Sequence, residues 1–376
     1  MIEILPVETE NDKLKFIKFQ YQIYRDSEHF VPPLIMDRKK LLDKKKNPFY
    51  KDNAIQLYLA YRDGKIVGRI AAIENKKHNE IHNENSGFFG FYESINDVEV
   101  AKALIDKASE WCKNKGFSSI IGPVNPHLND DSPGFLAKGF DDDPVMLLAY
   151  SQPYYLDLMD ACGLAKIKDL YSYRLEVASI RNIDKMKRIN ERVKKRHNLN
   201  IRPINMKKFD EEYLIIQEIF NRAWEKNWGQ VPLTKEDFEY IASDLKSLIH
   251  LDFVRIAFKD DTAIGMTVAF PDVNHLLKPM NGTFLSWGVF NFLKYVLTKK
   301  SSIRKVRVFI LGVLPEYDHT GATSLLYTDL IESGYKHKIV DAELAWILED
   351  NDKMNKAAEM LGGVNAKTYR LFSKRI

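Results

Sequence analysis

The chain is predicted to have an α/β fold, an α+β arrangement with mixed sheets, built as two similar units in tandem. Its 376 residues exceed what a single hydrophobic core usually holds, so two domains are expected. The order helix, hairpin, strand, helix, strand can be read in each half. In the second half, a β-branched run at 305–313 is followed by Pro315 and an apolar helical pattern, which predicts a strand, a turn and a helix.

The composition is that of an ordinary globular protein, with 45% hydrophobic and 29% charged residues. Its 56 basic and 52 acidic residues give a net charge of +4, so bulk charge gives no reason to expect a nucleic-acid partner. Cys112 and Cys162 have no metal-ligand spacing, which favours a reducing compartment. Without a signal peptide or a long apolar run, the expected location is the cytoplasm, and peripheral contact with the inner membrane face is a further expectation.

Residues 1–178 form the predicted first unit. Two β-rich runs at 56–62 and 65–73 flank Asp63-Gly64 and predict a hairpin. His78 and His82 have the spacing of a helical metal-ligand pair, but their polar, Asn-rich surroundings favour a loop, and we predict no metal site.

A long segment at 122–144 follows the last strand of this pattern and is dense in Gly, Pro, Asn and Asp. Connections of this length are usually functional or disordered, and its interleaved aromatic residues favour an ordered loop. Its polar side chains are candidate contacts to a substrate, or they only complete turns by bonding to the backbone. These candidates are Asn125, His127, Asn129 and Asp130.

The strongly basic residues 181–198 predict a solvated linker helix, placed at 179–199 between the units. The second unit, 200–376, contains a segment at 283–297 that is apolar on almost every side of a helix. Such a helix is buried or touches lipid, and about 15 residues are too few to span a bilayer. We therefore expect a core helix, the wall of an acyl-chain pocket, or an interfacial helix.

The short segment 318–323 lies between the predicted strand and helix of the second unit. Backbone N–H groups at the start of a helix bind anions well, so a phosphate-bearing ligand is the natural candidate. The sequence contains neither a Gly-x-x-x-x-Gly-Lys-Ser/Thr loop nor a Gly-x-Gly-x-x-Gly that joins a strand to a helix.

This stretch resembles the acetyl-CoA loop of the GNAT acyltransferases, in which a strand ending Val-x-Pro is followed by Arg/Gln-x-x-Gly-x-Gly/Ala. Val313, Pro315 and Gly321 stand at matching positions. Asp318 replaces the Arg or Gln, and Thr323 replaces the last Gly. The family's frequent general-acid tyrosine would fall at position 358, where this chain has alanine.

Most of the chain is similar to a bacterial group of two-domain GNAT-like proteins, some of which are linked to long-chain N-acylation of sphingoid bases. The motifs that carry this similarity are Phe88-Phe-Gly-Phe-Tyr-Glu93, Gly122-Pro-x-Asn125, Gly139-Phe-Asp141, Pro153-Tyr-Tyr155, Trp224-x-x-Asn-Trp-Gly229 and Gly312-Val-x-Pro315. The resemblance implies an N-terminal domain without a CoA loop and a C-terminal domain with a degenerate one.

The resemblance further implies that an acyl group moves from acyl-CoA, acetyl or longer, to a small-molecule or lipid amine by direct attack on the thioester, without a metal. The Val313 N–H would bind the oxyanion. Glu343 and Glu349 lie six apart on one predicted strand and hence on one face, so either could be the base, or each is only a solvent-facing strand residue. The implied cofactor contacts are Leu311, Val313, Asp318, His319, Thr320, Gly321, Ala322, Thr323 and Asn355. The implied acceptor contacts in the second half are Trp224, Asn227, Trp228, Asp272 and Asn274.

Three classes of function remain open at this point. The first is an acyl-CoA N-acyltransferase, and the second is a tandem-domain aminoacyl or peptidyl transferase, which should have a basic groove. The third is a GNAT-fold binding protein that has lost catalysis, which the departures at Asp318 and Thr323 favour. The acceptor, the acyl length and the oligomeric state cannot be read from the sequence.

Overall fold

The computed structural model describes residues 1–126, 133–180, 183–284, 288–298 and 303–376. The chain divides into two compact units. Unit 1 comprises Met1–Leu170, Asn274–Phe290 and Lys367–Ile376, and unit 2 comprises Tyr171–Val273 and Asn291–Ala366. The continuous domains predicted from the sequence, with a boundary at 179–199, stay a prediction.

The first half of the chain alternates helices and strands much as its hydrophobic periodicity predicts. In order, the elements are β1 (Ile2–Pro6), α1 (Glu10–Ile23), α2 (Ile35–Leu41), β2 (Ile55–Arg62), β3 (Lys65–Ile73), α3 (Lys76–His82), β4 (Ser86–Ser94), α4 (Val98–Asn114), β5 (Ser119–Gly122), β6 (Phe135–Lys138), α5 (Tyr155–Ala161) and β7 (Ala165–Glu176). The helix α3 corrects the loop predicted around His78, because the Asn75 side chain accepts the N–H of His78 and starts a helical turn.

The second half repeats this order. Its elements are α6 (Ile183–His197), β8 (Leu199–Pro203), α7 (Phe209–Ala223), α8 (Lys235–Leu245), β9 (Val254–Lys259), β10 (Thr262–Pro271), α9 (Asn274–Leu277), α10 (Val289–Thr298), β11 (Lys305–Val313), α11 (Ala322–Lys336), β12 (Asp341–Leu348), α12 (Asp352–Met360) and β13 (Val364–Arg375). Short 3-10 helices lie at Pro48–Lys51, Val177–Ser179, Met206–Lys208, Leu251–Phe253, Lys278–Met280 and Pro315–Thr320.

The sheet of unit 1 has the order β1, β2, β3, β4, β5, followed by the part of β13 that belongs to this unit. β4 and β5 are parallel, and their last pair is Phe88 with Ile121. One face of the sheet is covered by α4, whose Leu104, Ile105 and Ala108 are fully buried in the core. This apolar stripe has the spacing of an amphipathic helix, as the sequence predicts.

The sheet of unit 2 has the order β7, β12, β11, β10, β9, β8, of which β7 contributes 171–176. β11 and β12 are parallel, and α11 packs its buried Leu326 and Leu330 into the core of this unit. The two units therefore share one plan, in which a parallel strand pair is joined by a helix that covers one face of the sheet.

Two strands pair outside the unit that the sequence predicts for them, since β7 falls within the predicted unit 1–178 and β13 within the predicted unit 200–376. In unit 2, Arg174 on β7 forms a two-pronged ion pair with Asp341 on β12. In unit 1, Phe372 on β13 lies opposite Gly122 on β5. Each sheet thus contains a strand from the other half of the sequence, which local periodicity cannot reveal because it does not identify a strand's partner.

The basic helix α6 is not the solvated linker that its charge run predicts. Its Asn190 is buried and donates to the Ser324 carbonyl (3.1 Å) and to the Thr328 hydroxyl (2.6 Å) on α11. α6 is therefore a packed element of unit 2. Among the described residues, none of the helices combines the length and apolarity needed to cross a bilayer.

The close approach of Val124 to β4 gives a first testable prediction. A Cβ added at Gly90 would lie 1.9 Å from the Val124 carbonyl oxygen, so Gly90→Ala forces backbone apart. We expect a loss of about 1–3 kcal/mol in the free energy of unfolding, or more, measured by thermal unfolding.

Gly334→Ala is the matched control, because the nearest atom to its added Cβ is the Ile339 Cβ at 3.9 Å. This change on α11 should be neutral or stabilise by up to about 1 kcal/mol through helix propensity. Equal stabilities for the two variants would contradict the packing of Val124 against β4.

Candidate functional site

The strands β11 and β12 of unit 2 separate part-way along their length. Their ladder runs from Lys305–Asp341 to Val308–Leu344 and then ends. At the same point, Phe309 is an extra residue in the pairing of β11 with β10, a β-bulge that turns the strand. We call the gap between 309–313 and 345–348 the β11–β12 cleft.

Backbone groups of β11 face this cleft. The N–H of Leu314 donates to the Ile264 carbonyl at 2.8 Å, and bonded and non-bonded pairs alternate along an antiparallel ladder. The pairs Gly265–Val313 and Thr267–Leu311 are therefore of the non-bonded kind, and the N–H groups of Leu311 and Val313 point away from β10. Both residues were named from the sequence, and the structure turns their amides towards the β12 side.

The helix α11 begins next to the end of β11. Its N-cap is Gly321, in the left-handed region at φ 81°, which has no side chain of its own to cap the helix. The N–H of Ala322 is already bonded to the Thr320 hydroxyl (3.3 Å), and Thr320 is buried. Of the predicted phosphate contacts, His319 and Thr320 thus belong to the preceding 3-10 helix, while Gly321 and Thr323 belong to the uncapped turn.

Acidic residues beside this turn are each paired with a cation. Asp318, which stands where the resembled loop has Arg or Gln, forms an ion pair with Lys353 on α12 at 2.7 Å. Glu316 pairs with Arg222 on α7. Val193 of α6 lies against Gly321, and the following turn of α6 carries Lys194, Lys195, Arg196 and His197. The charges of Asp318 and Glu316 are therefore each balanced by a cation from another helix.

The predicted acceptor residues of the second half have separate environments. Trp224 stacks on Phe220 and lies so close to Gly312 that an added Cβ there would meet its ring at 2.5 Å. This places Trp224 beside the end of β11. Asn227 and Trp228 are half-buried in the turn after α7.

Asp272 and Asn274 lie further along the chain. Asp272 is buried just past β10, where its N–H donates to the Lys305 carbonyl (2.9 Å). Asn274 belongs to unit 1 and donates its amide to the Pro144 carbonyl (2.6 Å). Asn274 therefore has a structural contact of its own.

The two candidate bases do not share a strand face as their spacing predicts, because β12 ends at Leu348 and Glu349 lies in the following turn. Glu343 is fully buried, accepts the Ser172 hydroxyl at 2.6 Å and lies 3.2 Å from the Lys305 ammonium. Glu349 is half-buried. Asn355, a predicted cofactor contact, donates its amide to the Leu348 and Glu349 carbonyls and so holds this turn.

In unit 1, the chain itself fills both the gap beside the parallel strands and the start of the helix that joins them. The Asn125 side chain accepts the N–H of Phe91 at 3.0 Å, and the N–H of Val124 donates to the Phe89 carbonyl. The residues after β5 therefore fill the gap beside β4. At the start of α4, the Asp97 carboxylate accepts two backbone N–H groups and pairs with Arg62, an ion pair that lowers the pKa of Asp97.

Asn125 thus bonds to the backbone of β4, and its role as an acceptor contact stays a prediction. His127, Asn129 and Asp130 lie outside the described residues. Sequence reasoning missed a buried polar cluster of unit 1, formed by Gln20, Tyr24, Arg69, Glu93 and Tyr155. The charged residues inside otherwise apolar strands, Arg69 on β3 and Glu93 on β4, are the signal that could have revealed it.

Among the described residues, one group has the composition of a metal site. The ligand atoms of His250, Asp252 and His337 lie within 4.8 Å of one another. Asp252 is already bonded to His337 (2.6 Å) and Lys336 (2.7 Å), and these bonds outweigh partial burial and lower its pKa to about 2. A metal would have to displace the Lys336 ammonium from the same carboxylate oxygen.

No model of a known protein family matches the chain, but relatives align with nearly all of it. Protein YghO of Escherichia coli (strain K12) is 33% identical over 371 residues, which cover 98% of this chain and 94% of the relative. The chain belongs to the YghO family. A bacterial ceramide synthase of Caulobacter vibrioides (strain NA1000 / CB15N) is 29% identical over 387 residues, covering 100% of this chain and 98% of the synthase.

Solved structures extend this YghO-family relationship to the fold. A tandem GNAT protein from the clavulanic acid biosynthesis pathway aligns with a TM-score of 0.56 at 12% identity, covering 100% of this chain and 98% of that one. The tandem GNAT-like α/β fold expected from the sequence is therefore confirmed.

The uncapped start of α11 gives the second prediction for this YghO-family chain. Thr323→Glu places a negative charge in the first helical turn, which suits the helix but repels a bound phosphate. We expect CoA affinity to fall about tenfold or more while the unfolding temperature is unchanged or higher, measured by calorimetry and thermal unfolding.

Thr323→Gln is the control, because it has the same size without the charge and should bind CoA within a few-fold of the parent. Gly321→Val is a poorer test, since an added Cβ at this left-handed position would lie 2.9 Å from the Val193 side chain. Unchanged CoA affinity in a folded Thr323→Glu variant would remove the phosphate contact from this turn.

Proposed function

We propose that the chain is an acyl-CoA-dependent N-acyltransferase that moves an acyl group to a primary amine. The observation that carries this proposal is the contrast between the units, because unit 2 leaves the β11 amides and the α11 start uncovered and unit 1 caps their equivalents. The ceramide synthase relative supports the same reaction class, since making a ceramide is an N-acylation.

In this proposal, acyl-CoA lies along the cleft side of β11. The N–H groups of Leu311 and Val313 bind its carbonyl oxygens, and the pyrophosphate lies on the first turn of α11 at Gly321 and Thr323. The basic residues of the last turn of α6, which follow Val193, would take the part of the Arg or Gln that Asp318 replaces. Lys353 masks the Asp318 charge.

The reaction needs no covalent intermediate on the enzyme. The neutral amine nitrogen attacks the thioester carbon, the negative charge that develops on the oxygen is met by the Val313 N–H, and the C–S bond breaks to release the CoA thiolate. The nitrogen loses one proton to a base, and the thiolate takes up one proton. Holding both reactants in one geometry supplies much of the rate enhancement.

Glu349 is the better candidate for the base. The Glu343 carboxylate is fully buried and neutralises Lys305, whereas Glu349 is half-buried. Glu349 follows the end of β12 and Val313 is the last residue of β11, and both lie beyond the last pair of the β11–β12 ladder, Val308 with Leu344. A carboxylate there can accept the proton directly or through one water.

Glu349→Gln tests this assignment as the third prediction. Loss of a general base typically lowers kcat by about 10²–10⁴-fold, and binding of acyl-CoA should not change because the amide keeps the size of the side chain. Single-turnover rates and calorimetry with acetyl-CoA separate the two effects. Glu359→Gln on α12 serves as the control, and a parent-like kcat for Glu349→Gln would reject Glu349 as the base.

We further propose that the substrates are lipidic and that α10 contacts their chains or a membrane surface. Its Leu293 and Leu297 are 44% and 81% exposed, and Phe290 is 63% exposed, which gives one apolar stripe at helical spacing. An exposed stripe of this kind fits an acyl chain or a bilayer interface better than a core. Such contact would make the chain a peripheral membrane protein at the inner membrane face.

The fourth prediction uses this stripe. The double change Leu293→Ser and Leu297→Ser should reduce binding of palmitoyl-CoA but not of acetyl-CoA, because each buried methylene contributes about 0.8 kcal/mol. Leu251→Ser is the control, since Leu251 has the same 44% exposure on the 3-10 helix Leu251–Phe253. If the parent binds both thioesters equally, or if the control loses as much, the lipid role of α10 is wrong.

A further inference from the structure

The side chain of Arg307 lies at the point where β11 and β12 separate. It is only 1% exposed, which is unusual for an arginine. Its Nε and Nη2 atoms both donate to the Ala345 carbonyl on β12, at 3.3 and 3.2 Å. The guanidinium also lies over the ring of Phe309, 4.9 Å from the ring centre. One side chain of β11 is thus bound to β12 and to the bulge of its own strand.

The Ala345 carbonyl lies where the regular ladder fails. Backbone groups along β11 face β10 and β12 in turn, and the Lys305 carbonyl bonds towards β10, so the backbone of Val308 faces β12. In a parallel ladder, Val308 bonds to the residues on either side of its partner Leu344, of which Ala345 is one. The next N–H for the Ala345 carbonyl would be that of Ile310, but the bulge turns Ile310 towards β10. The guanidinium supplies donors in its place.

A competing donor lies one residue further along β11. The N–H of Leu311 points away from β10, towards the β12 side. Ala345 is 4% exposed, so its carbonyl would be a costly buried acceptor if the guanidinium were removed. A bond from the Leu311 N–H would satisfy it. That bond would extend the ladder into the β11–β12 cleft.

We propose that Arg307 is a positioning residue that keeps the β11–β12 cleft open. By occupying the Ala345 carbonyl, it leaves the N–H groups of Leu311 and Val313 for the acyl thioester. Its effect on activity rests on the proposed acyl transfer, and its effect on strand pairing does not. Arg307 acts through these amides and not through contact with the substrate.

The site suits an arginine better than a lysine. The planar guanidinium places two N–H groups on one carbonyl and still stacks on an aromatic ring, which an ammonium group does not reproduce. Glu343 is the register partner of Arg307 on β12, and paired residues point to the same face of the sheet, so a fully buried carboxyl group shares that face. Arg307→Lys keeps one donor and should therefore show a weaker form of each effect below.

Hydrogen–deuterium exchange of the ligand-free full chain, measured by NMR, tests the strand effect. Arg307→Met keeps an unbranched side chain without donors, and the Leu311 amide should exchange about tenfold more slowly than in the parent because it gains an acceptor. A merely structural role gives the opposite result, since lost contacts loosen a strand and speed exchange. Arg174→Met is the control, because Arg174 pairs with Asp341 at the other end of the ladder and should leave exchange at Leu311 unchanged.

Calorimetry and single-turnover rates with acetyl-CoA test the effect on the proposed site. Arg307→Met should bind acetyl-CoA about tenfold more weakly and react more slowly, because binding must first break the new Leu311 bond. Arg174→Met should match the parent. Thermal unfolding identifies a variant that does not fold, and if Arg307→Met is such a variant, Arg307→Lys decides.

The two measurements separate this inference from the proposed function. If the parent does not bind acetyl-CoA, the proposed function is wrong, and exchange at Leu311 alone decides the role of Arg307. Unchanged or faster exchange in the folded variant overturns the positioning role. If the parent binds acetyl-CoA and the variant binds it equally well, the positioning role is also overturned, while the proposed function stands.

Discussion

The end of pairing between parallel strands is the constraint on which the rest of the site depends. Where β11 leaves β12 after Val308, backbone N–H groups lose their partners, and an unpaired buried amide is costly. A fold with such a gap must fill it from within or offer it to a ligand. Unit 1 fills its gap with the Asn125 side chain, and unit 2 leaves Leu311 and Val313 facing the cleft. One geometry thus accounts for both the closed unit and the open one.

The same reasoning applies to the two helix starts. Asp97 supplies a carboxylate to the first amides of α4, so a negative charge from the chain itself occupies the position at which a phosphate would bind. Gly321 supplies no side chain to α11. The helix start of unit 1 therefore carries an anionic group of the protein, and that of unit 2 does not. A helix start with its own carboxylate cannot also accept a second anion without severe repulsion.

Sequence reasoning recovers elements whose signals are local. It predicts the β2–β3 hairpin from Asp63-Gly64, and the turn between β11 and α11 from Pro315 and the apolar helical pattern that follows, because turn residues and periodicity act over a few positions. It cannot identify the partners of β7 and β13, which are fixed by contacts such as Arg174 with Asp341. The cluster around Glu93 is missed for the same reason, since its members lie on separate elements and meet only in the folded chain. The helix α6 shows that a charge run does not exclude packing, because one buried Asn190 anchors it.

The departure from the resembled loop at Asp318 can be interpreted from the charged residues of neighbouring helices. An aspartate at 318 would repel a pyrophosphate if it stood alone, but Lys353 lies 2.7 Å away and offsets part of its charge. The packing of α6 adds Lys194, Lys195 and Arg196 on a segment that follows Val193. In the proposed complex, charge from two other helices offsets the change from Arg or Gln to Asp in the loop. Replacement of the motif residue at 318 does not by itself remove an anion site at the helix start. The motif alone therefore could not decide between a transferase and a degenerate binding protein.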